Sequence, residues 1–428
     1  MREMKDSGIE WIGEIPKDWK CCKVKNSTSF VGSGTTPTSS NQDFYDGDIN
    51  WIQSGDLYKT VVVDTVEKKL TEKALKSFSA LHIYQAPFIV MAMYGASVGN
   101  TAFSKIDACC NQACCCIKNN EFFDLKFMYY WLDFAQIDFL GRAIGGTQPN
   151  ISQDKIKNQY IVKPSLEEQQ QIANYLDTKC SEINTTAEDI QKEISLLEDY
   201  KKSLIYNVIS NGINHSAYST ETDEVWGNVP QGWKLVDIKY LFEIVKRIAG
   251  KEGYDVLSVT QKGLKVKDIT SGDGQLADNY SGYQFVYPTD YVMNHMDLLT
   301  GWVDCSELFG VTSPDYRVFR LMDKAANNLF YYKYVMQCCY MNKIFYSLGQ
   351  GVSNLGRWRL QTSSFNNFKV PVPPKAEQDE IADFLDTKCS EIDTLIADKK
   401  RQLDILADYK KSLIYEYVTG KKEVPVNE

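Results

Sequence analysis

A chain of 428 residues with 43% apolar and 24% charged side chains lies close to soluble globular averages, which excludes wholesale disorder and leaves room for two to four domains. No run of ~18 apolar residues occurs, and Met1-Arg2-Glu3-Met4-Lys5-Asp6 lacks an apolar signal stretch, so membrane spanning and secretion are disfavoured. The net charge of −9 argues against a nucleic-acid binder until its distribution is read: residues 1–165 hold 18 basic and 18 acidic side chains and residues 213–375 hold 17 and 16, whereas 166–212 and 376–428 carry −5 each.

In chain order, residues 1–165 read as a first globule of mixed α and β structure. Short β-rich runs at 49–52, 60–63 and 88–91 are separated by Gly, Asp and Asn turns, and 125–135 reads as a helix. Ser165 and Glu168 then form a capping box after Pro164, opening a helix predicted over 166–209 and stopped at Asn211-Gly212. At ~1.5 Å per residue this is a rod on the order of 65 Å long. Residues 213–375 form a second mixed globule, with a strand at 256–259 and a helix at 328–341. Residues 376–428 hold a second long helix and tail, with a stop at Thr419-Gly420.

The two long helices are copies of one another. Glu168 to Ile183 recurs at Glu377 to Ile392 with 12 of 16 positions identical, and Asp199-Tyr200-Lys201-Lys202-Ser203-Leu204-Ile205-Tyr206 recurs unchanged from Asp408 to Tyr415. Both matches share an offset of 209 residues, so no insertion separates them, as one rigid helix requires. A heptad count gives each copy a narrow apolar seam. In the first it runs through Leu176, Ile183, Ile190, Ile194, Leu197 and Leu204; in the second, through Leu385, Ile392, Ile396, Leu403, Leu406 and Leu413. The equivalent lysines Lys201 and Lys410 interrupt the two seams, and Lys399 interrupts the second again. These seams predict that the helices pair.

The globules share a frame and differ inside it. Gly13-Glu14-Ile15-Pro16-Lys17-Asp18-Trp19-Lys20 resembles Gly227-Asn228-Val229-Pro230-Gln231-Gly232-Trp233-Lys234, and Gly146-Thr147-Gln148-Pro149-Asn150-Ile151 resembles Gly351-Val352-Ser353-Asn354-Leu355. A duplication of this kind presents two similarly mounted surfaces that can recognise different things.

This frame resembles that of the specificity (S) subunits of type I restriction-modification systems. The likeness rests on the repeated Trp-Lys element, on Tyr45-Asp46-Gly47-Asp48-Ile49-Asn50-Trp51-Ile52 with Gly55-Asp56-Leu57, on the Gly146 to Ile151 turn, and on Glu168-Gln169 then Ile172-Ala173 opening each long helix. It implies an α+β architecture: two mixed α/β target-recognition domains separated by two long helices in an antiparallel coiled coil, with a pseudo-twofold internal duplication. It also implies double-stranded DNA with a bipartite target as ligand, docking of two methyltransferase (M) subunits, and restriction (R) subunits in the full complex. The second globule lacks the Gly-x-Ile-x-Trp-Ile pattern and has only Tyr254-Asp255-Val256-Leu257-Ser258-Val259.

B-DNA repeats every ~34–36 Å, so two readers held apart by a rod of fixed length address grooves about a turn or more apart and leave the bases between unread. Bases are read by Arg, Lys, Asn, Gln, Ser and Thr on groove-facing loops. In the first globule the candidates are Thr35, Thr36, Gln53, Ser54, Tyr94, Asn100, Arg142, Gln148 and Lys155; in the second, Lys246, Arg247, Gln261, Lys262, Arg317, Gln350, Arg357 and Arg359. Near-neutral globules grip phosphate weakly, so a basic partner is expected to supply that term.

Motifs for chemistry are missing or misplaced. Phe30-Val31-Gly32-Ser33-Gly34 has the form of an S-adenosylmethionine loop, but no Asn/Asp-Pro-Pro-Tyr/Phe site accompanies it. Pro314-Asp315 is followed by an Asp-x-Lys only at Asp386-Thr387-Lys388, inside the second long helix, and no phosphate-binding Gly-x-x-x-x-Gly-Lys-Ser/Thr loop occurs. Cys109, Cys110, Cys114, Cys115 and Cys116 lack Cys-x-x-Cys spacing and read as small buried hydrophobes in a reducing cytoplasm. His82, His215 and His295 share no nucleophile arrangement. The chain is expected to be a non-catalytic recognition subunit without a cofactor or metal. The alternative is a coiled-coil scaffold with two ligand-binding globules and no DNA role.

Overall fold

The computed structural model describes residues 2–58, 60–141, 150–214, 217–220, 222–269, 277, 279–351 and 358–425. It divides into two compact units, one of residues 1–189 with 401–428 and the other of residues 190–400. The long helices Leu166–Asn211 and Lys375–Val418 each pass without a break from one unit into the other.

The first unit is built on a five-stranded sheet in the order Thr28–Ser33, Cys114–Asn119, Phe88–Ala92, Thr101–Ser104, Val62–Val63. All neighbours are antiparallel except the last pair. The predicted strand at 60–63 shrinks to this parallel edge of two residues. The cysteine triplet sits in a strand buried on both faces: Cys115 enters the core shared with the Leu125–Phe134 helix, while Cys114 and Cys116 face a second cluster with Phe88, Val90 and Ala92. Small side chains suit such a strand because sheet and helix both close on it. Tyr45–Ile52, in a smaller sheet, carries Trp51 into a third cluster.

The second unit repeats four of these five positions. Its sheet runs Phe242–Val245, Arg317–Leu321, Tyr291–Met293, Val303–Cys305, all antiparallel, with the Leu329–Met341 helix in its core. In both units a strand after the Trp-Lys element pairs antiparallel with the strand entering the long helix: Lys20–Lys23 with Tyr160–Lys163, and Lys234–Asp237 with Lys369–Val372.

The identical residues of the helix repeat mount the globules. Glu168 accepts from the indole N–H of Trp19 at 3.0 Å, and Glu377 accepts from that of Trp233 at 2.9 Å. The buried Gln169 accepts from the backbone N–H of Asp124 and donates to the Pro164 carbonyl; Gln378 does the same with Asn328 and Pro373. Asp124 and Asn328 are the N-caps of the two globule helices. The Tyr130 hydroxyl donates to Asp177, and that of Tyr334 to Asp386. Three contacts at helix positions 209 residues apart thus orient each globule on its helix. They also correct the expected capping box. The Ser165 hydroxyl does accept from the Glu168 N–H, but the Glu168 carboxylate turns to Trp19 and Arg2 instead of back to Ser165.

Within each unit the helices run antiparallel. In the first, Tyr175 packs on Tyr417 with ring centroids 4.6 Å apart, and Lys410 donates to Asn184 at 2.9 Å. In the second, Lys201 donates to Asp393 at 2.7 Å and Lys399 pairs with Glu193. The lysines interrupting the seam are therefore cross-helix partners: the equivalent Lys410 and Lys201 reach the same repeat position, 184 or 393, on the opposite helix, and Lys399 reaches Glu193. Leu176, Ile183, Ile190, Ile194, Leu385, Ile392, Ile396 and Leu413 are buried, while Leu197, Leu204, Leu403 and Leu406 are half-buried. Gly212 and Gly420 end the helices with φ of +70°, a left-handed C-terminal cap.

Candidate nucleic-acid interface

In the first unit, backbone hydrogen bonds lace several loops into one rim. Gly34 donates to Asn111, Asn111 to Ile52, Met93 to Ala113 and Ile151 to Met93. Tyr94 bridges Asn150. These bonds satisfy the loop backbones among themselves; of the side chains between them, Thr36 and Tyr94 are exposed and Thr35, Gln53 and Ser54 are half-buried. Thr35, Thr36, Gln53, Ser54 and Tyr94 are brought together on this rim, and Lys155 stands beside it in the short helix Gln153–Asn158 capped by Ser152. Tyr94 is 45% exposed. Two candidates are engaged internally: Thr36 donates to Gln112, and the Asn100 amide accepts from Gln136 at 2.9 Å while facing the Leu57 carbonyl. Arg142 and Gln148 lie outside the described residues.

The second unit forms a matching rim. Gln261 reaches the Thr300 carbonyl, Leu360 donates to His295, and Leu298 donates to Trp358. Gln350 and Arg359 pair through reciprocal backbone bonds of 2.9 and 3.1 Å, and both side chains are exposed. Lys246 and Lys262 are exposed, and Arg357 lies outside the described residues. Arg247 is held by Asp290 at 2.6 Å with its guanidinium over Tyr287.

The structure places Arg317 in the core instead of on the rim. It is 4% exposed, donates to the Leu360 carbonyl and the Thr362 hydroxyl, and stacks on Phe365. Burial lowers its pKa to about 10, and in this position it braces the rim from beneath.

Two rim residues escaped the sequence reading. Asn150 was visible only as part of a turn motif. The His295 carbonyl accepts the Leu360 N–H; burial first, then Arg317 and Arg359, push the His295 pKa down to about 4, so the imidazole is neutral at physiological pH. Its Nδ1 is buried without a hydrogen-bond partner among the described residues. No sequence signal marked it, because its burial comes from the fold and the two arginines that add to the shift are 22 and 64 residues away.

Among the described residues no group of His, Cys, Asp and Glu side chains is arranged to hold a metal ion, and no helix is long and apolar enough to cross a membrane. The rims offer amides, hydroxyls and guanidinium groups, which suits hydrogen-bonded recognition of base edges and phosphates.

A family model for the type I restriction modification DNA specificity domain matches residues 16–196 and 230–404. The specificity subunit of the type I restriction enzyme MjaIX of Methanocaldococcus jannaschii is 30% identical over 247 residues, 56% of this chain and 54% of that protein, so the chain spans about half the length of that relative. The MjaVIII specificity subunit of the same organism is 22% identical over 96% of this chain and 94% of its own length. Among solved structures, a chain from work on assembly and conformational transition of the type I R-M system superposes with a TM-score of 0.71 at 15% identity, covering 95% of this chain and 99% of that one. The HsdS subunit from Thermoanaerobacter tengcongensis gives 0.50 at 15% identity, covering 95% and 98%. Since both copies of the duplicated frame match the family model, this chain belongs to the type I restriction modification DNA specificity family.

Proposed function

We propose that the chain is the DNA-specificity subunit of a type I restriction-modification complex, in which each unit reads one half of a bipartite double-stranded target. The observation that supports this reading is the repeated mounting: the same Trp–Glu, Gln–N-cap and Tyr–Asp contacts carry two loop rims whose side chains differ. A scaffold binding one ligand twice would have no reason to vary the rims while keeping the mounts.

The chain is a recognition subunit that works in the cytoplasm, with methyl transfer and cleavage supplied by M and R subunits. With globules near neutrality it grips phosphate weakly alone, and its partners supply most of that term. Two M subunits dock on the long helices, and one feature of the helices suits this. Lys192, Leu196 and Tyr200 form a stripe at i, i+4, i+8 that recurs as Arg401, Ile405 and Tyr409. Leu196 is 68% exposed and Ile405 61%, Tyr200 57% and Tyr409 54%, so the fold itself does not explain their repetition. Because each long helix continues from one unit into the other, its residue count sets the gap between half-sites.

The test is salt-dependent binding by the complex reconstituted with M subunits, together with a genome-wide map of methylated adenines in a host carrying the intact system. A bipartite motif with a fixed gap is expected. Sequence-indifferent binding, or methyl transfer by this chain alone, overturns the reading.

A further inference from the structure

Asn150 and Arg359 occupy equivalent places in the two units, so the backbone bonds replace the match of Asn150-Ile151 with Asn354-Leu355 read from the sequence by one with Arg359-Leu360. Each directly precedes a buried aliphatic residue, Ile151 or Leu360, both 1% exposed. The N–H of that residue donates at 2.9 Å to a carbonyl just past the end of a central strand, at Met93 after Phe88–Ala92 or at His295 after Tyr291–Met293. Each stands three residues before a short helix, Gln153–Asn158 or Thr362–Asn366, and beyond that helix the chain enters the strand leading to the long helix. Each is bridged by a neighbouring rim residue, Tyr94 or Gln350, which pins its backbone.

Both side chains are exposed and make no hydrogen bond or ion pair with the described residues. The positions match in backbone and differ in chemistry. Asn presents a donor and acceptor pair that fits adenine N6 and N7 in the major groove, while Arg presents two parallel donors that fit guanine N7 and O6.

We infer that Asn150 and Arg359 are equivalent specificity-determining residues, Asn150 reading an adenine in the half-site of the first unit and Arg359 a guanine in that of the second. The inference rests on the DNA-reading function proposed above. The surroundings of Arg359 favour it. Arg317 is committed to Leu360 and Thr362 inside the unit, whereas the guanidinium of Arg359 stays exposed on the rim.

The test uses the complex reconstituted with its M subunits, on duplexes carrying each single base-pair change in a target first defined by methylation mapping. Arg359→Ala is expected to lower discrimination at one G·C pair about 5- to 150-fold, the worth of one bidentate contact, with the other half-site unchanged. Asn150→Ala is expected to do the same at one A·T pair of the other half-site, and Asn150→Arg to shift preference there toward guanine. Arg359→Lys keeps the charge but loses the fork, and should also relax the G·C position; it serves if the alanine variant folds poorly. Discrimination unchanged at every position for either residue overturns the equivalence. So does a uniform loss across all sequences with a salt slope shallower by about one, which marks a phosphate contact. If the wild-type complex shows no two-part target, the functional reading itself fails and the inference falls with it; a bipartite wild type with insensitive variants sinks the inference alone.

Discussion

The buried Gln169 and Gln378 show how single side chains hold this protein in register. Each satisfies a backbone N–H at the start of a globule helix and a carbonyl at the start of a long helix, so removing either leaves two buried groups unpaired. Gln169→Ala and Gln378→Ala should each cost about 1–3 kcal/mol of unfolding free energy by chemical denaturation, with the Gln169 loss the larger because its amide also donates to the Phe122 carbonyl. The cysteines give a second prediction. Burial pushes the Cys22 thiol up to about 11 and those of Cys109, Cys305 and Cys338 up to about 12. The folded state therefore holds protons that the unfolded state releases from pH 9 upward, so these thiols make stability fall as pH rises from 9 toward 12. Native protein at pH 8 should react slowly with a thiol reagent, at no more than Cys21, Cys22 and Cys305, and at all twelve cysteines once denatured. Of these, only Cys109, with its neighbours Cys110 and Cys114 to Cys116, was legible from spacing as a packing residue. The identity of the mounting residues was not, since their partners lie between 45 and 149 residues away along the chain.

Among the elements, the long helices were the most legible because a seam repeating every 3.5 residues over six heptads has no competing explanation. Their ends were less so. Ile172, Ile205 and Ile209, with Ile381, Ile414 and Val418 at the matching positions, are buried beside the seam instead of on it. There the helix is covered by a globule as well as by its partner helix, which widens the apolar stripe. The exposed stripe has the opposite signature, repetition without burial. Tyr200→Ala and Tyr409→Ala should leave stability within about 0.5 kcal/mol, as for surface substitutions generally, yet weaken binding of M subunits, and the double variant more than either alone. Pull-down or calorimetric titration with purified M subunit checks this; unchanged affinity would remove the stripe from the docking surface.

For the whole molecule, two outcomes separate modular reading from a single composite surface. Deleting one heptad, residues 197–203, should change the accepted gap between half-sites or abolish assembly, while the bases within each half stay the same. Exchanging residues 213–375 for the corresponding part of another subunit should replace one half of the target only. Methylation mapping reads both, and a changed half-site after the heptad deletion would defeat the modular account.

The sequence by itself determined the duplication, the long helices, their pairing seam and the division into frame and variable interior, because these are periodic or repeated and periodicity survives without knowledge of contacts. Only the tertiary structure decided which rim residues meet: it sent Arg317 into the core, turned Arg247 to Asp290, neutralised His295 and set Asn150 and Arg359 in matching places. The physical reason is that a loop residue's role depends on neighbours brought to it by sheet pairing from distant parts of the chain, and no local pattern in the residues records those neighbours.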